Sequence, residues 1–120
     1  MVVPGEPLFT IYANTQNIAK VQADVAKVLG IKMRDVSVKV KRLGGGFGGK
    51  QDRVNFSAVA ASVAAYKLNK PVRLALDRRT DLAITGGRHS LVMNYRAACK
   101  KNGELLGADI RFLMDCGYVF

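Results

Sequence analysis

Residues Gly44-Gly45-Gly46-Phe47-Gly48-Gly49-Lys50 place five glycines in six consecutive positions, and that run restricts the chain more than any other part of it. A backbone so poor in side chains reaches positive φ freely and lets a ligand approach closely, but it loses much entropy on ordering. Such a loop is kept ordered by something it meets. Ahead of it, Val36, Val38 and Val40 alternate with Ser37, Lys39 and Lys41, the period of a half-buried strand. Behind it the sequence turns helical. A glycine loop that opens a helix offers N–H groups and the positive end of the helix dipole to an anionic group such as a phosphate or pyrophosphate.

Two nucleotide patterns fit that picture in part. Gly44-x-Gly46-x-x-Gly49 satisfies G-x-G-x-x-G, and Gly44 to Lys50 satisfies the first seven positions of G-x-x-x-x-G-K-[ST]. The second fails at its eighth position, where Gln51 replaces the hydroxyl residue that would hold Mg²⁺. The first needs an acidic residue about 20 positions on, at the end of the next strand. Asp77 ends the next predicted strand but lies further along. A purely structural glycine turn is the third reading, and spacing alone leaves all three open.

Along the chain, Leu8 to Tyr12 reads as a short strand whose end delivers Asn14, Thr15 and Gln16. Ile18, Val21, Val25, Val28 and Leu29 recur at helical spacing, with Thr15 or Asn14 as N-cap and Gly30 as the stop. From spacing alone, Gln16 is a capping or solvent-facing residue. A second helix runs from Asp52 as N-cap to Leu68 and is apolar nearly all round, with many alanines that let neighbouring backbones approach. Pro71 ends it, and Val72, Leu74 and Leu76 then read as a strand closing at Asp77. A polar connection, Arg78 to Thr85, leads into Gly86-Gly87 with Arg88 and His89; a lone histidine of this kind is most simply structural, and no catalytic role is assigned to it. Leu91, Met93, Tyr95 and Ala97, a type I′ turn at Asn102-Gly103, and Leu106, Ala108, Ile110 and Phe112 make a hairpin. The fold class is α+β, two helices of about Asn17–Leu29 and Asp52–Leu68 packed on mixed or antiparallel strands. The apolar ending Cys116-Gly117-Tyr118-Val119-Phe120 reads as a cut rather than a finished terminus.

The 120 residues, 49% of them hydrophobic, suffice for one core and show no linker or repeat. A net charge of +10 raises nucleic acid as a partner, yet the charges are scattered, with Lys39, Lys41 and Arg42 the tight group near the loop. Aromatic residues are not interleaved as on an RNA-binding sheet, so a solvated face or an acidic neighbouring domain is the simpler expectation. Cys99 and Cys116 form no framework and read as free thiols. No basic segment followed by an apolar core begins the chain, and the apolar run Phe56 to Tyr66 is too short to span a bilayer. A cytoplasmic, reducing setting without membrane contact is the default.

Phe47 is required by neither nucleotide pattern. The string Val38 to Lys50 that contains it closely resembles the molybdenum-cofactor-binding region of the xanthine dehydrogenase and aldehyde oxidase family. Thr15-Gln16-Asn17, Gln22 and Val25-Ala26 resemble that family's approach to the same site, and Asp77-Arg78 and Thr85-Gly86-Gly87-Arg88-His89 its next landmarks. The likeness spans about Phe9 to Phe120. It implies a single partial domain over 1–120, the first part of a larger molybdopterin-binding region cut at both ends. It further implies a molybdenum-molybdopterin cofactor, with Gln16 hydrogen-bonded to an oxygen of the molybdenum centre and the backbone of Phe47 and Gly48 against the cofactor. Iron-sulfur clusters and FAD belong to parts ahead of Met1. The catalytic glutamate and the substrate-orienting arginine fall beyond Phe120, so no catalytic residue lies in this chain and it cannot turn over alone. The resemblance implies a full-length homodimer that hydroxylates purines, or aldehydes and N-heterocycles, with water as oxygen source; NAD⁺ and oxygen stay open as electron acceptors. Xanthine-type enzymes carry glutamate after Gly-Gly-Lys and aldehyde oxidases a smaller apolar residue, whereas Gln51 matches neither and keeps two donors and an acceptor without the charge. Gln51 is thus the substrate-binding candidate. The competing function is a small nucleotide- or nucleic-acid-binding module built on Gly44 to Lys50 and the basic surface, in which Lys50 is essential and Phe47 and Gln16 are dispensable.

Overall fold

The computed structural model describes residues 1–5 and 8–115, divided into two units, 1–86 and 87–120. In the first unit, β1 (Val2–Val3) pairs antiparallel with β2 (Phe9–Tyr12), and β2 pairs parallel with β3 (Val36–Lys39), in the register Phe9↔Val36 to Tyr12↔Lys39. Parallel neighbours need a crossover, and α1 (Ile18–Leu29) supplies it. Alternation along β2 turns Phe9 and Ile11 into the core, where they meet Val2, Val36, and Val21, Val25 and Ala26 of α1. The second helix, α2 (Asn55–Leu68), adds Ala61 and Ala65 on one face, four residues apart, and their small side chains let it lie against α1.

Caps and boundaries depart from the sequence pattern for identifiable reasons. α1 is capped by Asn17, whose Oδ1 accepts from Lys20 N–H at 3.1 Å, and not by Thr15 or Asn14. The Thr15 hydroxyl is committed to a partner far along the chain. Gly30 stops the helix in the left-handed conformation, as expected. α2 begins at Asn55 rather than after Asp52, because Asp52 enters a turn in which its carbonyl accepts from Asn55 N–H at 3.0 Å. The strand expected over Val72 to Asp77 shrinks to one bridge between Val72 and Val2, closed by N–H···O bonds of 2.8 and 2.9 Å. β1 is two residues long and offers nothing further to pair with. The predicted polar connection Arg78 to Thr85 is instead a helix, α3 (Arg78–Thr85), N-capped by Asp77 through bonds from Thr80 N–H (3.0 Å) and Thr80 Oγ1 (2.6 Å). Those Thr80 bonds hold the Asp77 carboxyl below its ordinary pKa.

Asp24 ties α1 to α2: its carboxylate meets Lys20 Nζ at 2.9 Å and accepts from Asn55 Nδ2 at 2.8 Å. Burial pushes the Asp24 pKa up, but the Lys20 and Asn55 hydrogen bonds and the charges of Lys20 and Lys27 outweigh it, so the net shift is downward. A carboxyl depressed in the folded state stabilises above its unfolded pKa, about 3.9, and that stabilisation is lost as pH falls through the folded value. Asp24→Asn is therefore expected to lower stability near neutrality and to flatten the acid limb of the unfolding curve; an unchanged pH dependence would remove Asp24 from this role.

The second unit is a hairpin of β4 (Leu91–Cys99) and β5 (Leu105–Met114), in the register Leu91↔Met114, Met93↔Phe112, Tyr95↔Ile110, Ala97↔Ala108. Those pairs share a face that is apolar throughout, as the alternation predicts, and the hairpin is exposed along its length. Its turn is not type I′. Gly103 N–H donates to Lys100 O at 2.9 Å and Gly103 alone takes positive φ, at 88°, with a register shift at Ala98/Cys99. This is the four-residue turn with a glycine bulge, and Asn102 Oδ1 supports it by accepting from Glu104 N–H at 3.1 Å. Cys99 is an exposed free thiol. Cys116 and the apolar ending to Phe120, like Glu6 and Pro7, lie outside the described residues.

Candidate functional site

Because β2 and β3 run parallel, both leave the sheet at the same end, β2 toward Asn14, Thr15 and Gln16 and β3 toward the glycine loop. The two segments are bonded to each other at Lys50. Its carbonyl accepts from Gln16 N–H at 2.8 Å and from the Thr15 hydroxyl at 3.1 Å, while Thr15 Oγ1 accepts from Asn17 N–H at 3.0 Å. Thr15 is only 2% exposed, so one buried hydroxyl fastens the loop and seats the first turn of α1. In return Gln16 Oε1 accepts from Gly48 N–H at 3.1 Å and Lys50 N–H at 3.2 Å.

The far end of the loop is closed by the Lys50 side chain, whose Nζ donates to Leu43 O at 3.0 Å. With the Asn14 amide turned to satisfy both its atoms, its nitrogen donates to Leu43 O (3.1 Å) and Arg42 O (3.3 Å) and its oxygen accepts from Lys50 Nζ (3.3 Å). A phosphate loop needs this ammonium for its ligand; here it binds the loop to itself. The helix-dipole expectation also changes. Gly49 N–H and Gln51 N–H turn back onto the carbonyls of Gly46 (2.9 Å) and Gly48 (3.4 Å), and α2 starts only at Asn55, which is 5% exposed. The first residue of the helix is thus buried, and the helix begins beyond the loop's own turns.

What the loop exposes is specific. Gly44, Gly45 and Gly48 take φ of 65°, 92° and 84°, conformations that need glycine. Phe47 adopts φ 50° without being glycine, at a penalty of about 1–2 kcal/mol, and leaves its ring 82% exposed. Strain and an exposed aromatic at one residue mark a surface prepared for contact. The N–H groups of Gly45, Gly46 and Phe47 find no acceptor among the described residues, and neither does the Gln16 side-chain nitrogen. Gln16 and Gln51 are exposed.

Of the sequence candidates, Gln16, Gly48 and the Phe47 backbone therefore come together, and Gln51 follows directly on the bonded Lys50. His89 belongs to the other unit and is exposed. No local pattern signals the roles of Thr15, Asn14 and the Lys50 side chain, since each depends on a partner elsewhere in the chain. Arg53 is a further such residue: its Nη1 donates to Thr85 O at 3.3 Å beside Gly86, whose φ of 75° requires glycine and whose missing Cβ leaves room for the guanidinium. Among the described residues no group of three His, Cys, Asp or Glu side chains could hold a metal ion, and no helix is long and apolar enough to cross a membrane.

Residues 1–120 match the family model described as the molybdopterin cofactor-binding domain. The chain is 45% identical to xanthine dehydrogenase of Dictyostelium discoideum over 121 residues, covering all of the chain and 9% of that protein. It is 47% identical to xanthine dehydrogenase 2 of Arabidopsis thaliana over 105 residues, 88% of the chain and 8% of the relative. With aldehyde oxidase 3 of Rattus norvegicus the identity is 42% over 118 residues, 97% of the chain and 9% of the relative. The chain thus spans less than a tenth of the length of these relatives.

Proposed function

The chain belongs to the molybdopterin cofactor-binding family of xanthine dehydrogenases and aldehyde oxidases, and from that premise we propose that it forms one wall of the cofactor site in a longer oxidoreductase. When bound, the molybdenum-molybdopterin group supplies the redox chemistry of hydroxylation, with water as the oxygen source. The observation that carries the reading is Gln16, whose carboxamide oxygen is fixed by Gly48 and Lys50 N–H while its nitrogen has no acceptor among the described residues. An acceptor-rich, anionic cofactor fits that set of donors, together with the N–H groups of Gly45, Gly46 and Phe47. Gln16, Phe47 and Gly48 bind the cofactor, and none of them transfers a proton or an electron. Iron-sulfur clusters, FAD, the catalytic base and the dimer contact belong to other parts of the polypeptide, which acts in the cytoplasm on a small molecule and engages neither nucleic acid nor membrane. Lys50 favours this reading over a nucleotide module, because its ammonium closes the loop through Leu43.

The test is an assay of the full-length polypeptide on hypoxanthine and on an aromatic aldehyde in ¹⁸O-labelled water. Label in the product is expected; turnover of neither substrate by metal-loaded protein contradicts the proposal. Gln51 sets the preference between substrates. Gln51→Glu restores a charged acceptor, and charge-assisted hydrogen bonds are about twice as strong as neutral ones, so hypoxanthine kcat/KM is expected to rise several-fold with aldehyde kcat/KM unchanged or lower. Equal activity of the two proteins on hypoxanthine would place Gln51 outside the substrate contact.

A further inference from the structure

Gly46, like Gly49, is a glycine of the run whose backbone conformation does not require one: its φ lies outside the left-handed region that Gly44, Gly45 and Gly48 occupy. What excludes a side chain there is Gln16. A Cβ at Gly46 would overlap Cγ, Cδ and Oε1 of the Gln16 side chain, which lies across the loop backbone at that point. Two N–H groups, those of Gly48 and Lys50, converge on the far end of the same side chain. Only an acceptor can meet two donors, so the oxygen of the carboxamide faces the loop and the nitrogen faces outward.

We propose that the loop acts on Gln16 as a clamp, with Gly46 making the space and the Gly48 and Lys50 amides fixing the flip of the carboxamide, so that the protein presents only N–H donors at this point. The partner atom on the ligand is then an acceptor, as the family likeness already implies, and a ligand offering a donor here is rejected. This rests on the cofactor reading given above. It goes beyond it in making Gly46 and the Gly48 and Lys50 amides positioning groups that fix the Gln16 carboxamide. An unclamped glutamine flips freely and can satisfy either a donor or an acceptor; the clamped one cannot.

Gln16→Glu separates the two halves of the claim. One carboxylate oxygen accepts from the Gly48 and Lys50 amides as the carboxamide oxygen does, whereas the outward atom changes from donor to acceptor with no change of shape. In the full-length polypeptide, hydrogen exchange of peptides covering Gly44 to Lys50 is expected to stay as slow as in wild type. Molybdenum content measured by mass spectrometry is expected to fall about tenfold or more, the effect of turning a charged-group hydrogen bond into a repulsion. Gln16→Ala, which loses both functions, is expected to speed exchange in those peptides and to lose molybdenum together. Full molybdenum content in Gln16→Glu with slow exchange overturns donor selection; fast exchange in Gln16→Glu overturns the clamp. If wild-type protein with slow loop exchange carries no molybdenum, the cofactor reading fails and donor selection toward the cofactor fails with it, while the exchange data still judge the clamp on its own.

Discussion

Gly46→Ala in the full-length polypeptide is expected to reduce molybdenum content by about tenfold, the equivalent of losing the one charge-assisted hydrogen bond of about 1.5 kcal/mol proposed from Gln16 to the cofactor, and to speed hydrogen exchange over Gly44 to Lys50. The faster exchange reads the loss of the two bonds from the Gly48 and Lys50 amides to Gln16 Oε1, which hold the loop with or without cofactor. The methyl group is small and the backbone conformation suits alanine, so the effect travels through Gln16, which must swing away to avoid overlap. Gly44→Ala is the control. It strains a backbone at φ 65° by about 1–2 kcal/mol but meets open space, so the loop is weakened and Gln16 stays in place. Adding Gln16→Ala to Gly46→Ala removes the overlap, and the double variant is expected to match Gln16→Ala alone in stability and loop exchange. Strict additivity of the two changes would mean that Gly46 and Gln16 do not interact.

The second large effect concerns Thr15. Thr15→Val keeps shape and volume but leaves the Asn17 N–H without its acceptor and the Lys50 carbonyl with the Gln16 N–H alone, in a site that is 2% exposed. Leaving a buried amide unpaired costs about 1–3 kcal/mol, and the loss should be read in chemical unfolding and in faster exchange at the loop. Thr15→Ser keeps the hydroxyl and is expected to stay close to wild type. Equal stability of Thr15→Val and wild type would show that the hydroxyl is not what fastens Lys50.

These two positions also mark where the sequence was legible. The loop itself, β2, β3, α1 and the hairpin register followed from periods of two and of about 3.6 residues with glycine stops, all of them local signals. Thr15 has the chemistry of a helix cap as well as of a loop fastener, and Lys50, 35 residues away, decides between the two. Asp52 likewise has capping chemistry but lies in a turn, so α2 begins later. The strand after Pro71 had the right alternation and failed for want of a partner beyond Val2. Gln16, Phe47 and Gly48 are candidates through a family motif, not through any local period. Gly46 was visible only as one glycine among five, and its reason is a contact with Gln16 that no local pattern contains.

Thr15-Gln16 and Gly44 to Lys50 are proposed to form part of a molybdopterin site together. The most direct measurement is the molybdenum and pterin content of the full-length wild-type protein, purified from cells supplied with molybdate, with Gly46→Ala measured alongside. Near-stoichiometric molybdenum and pterin are expected in wild type, with loss of both in a Gly46→Ala protein that still folds. A folded wild-type protein free of both, or a Gly46→Ala protein as fully loaded as wild type, would contradict that proposal.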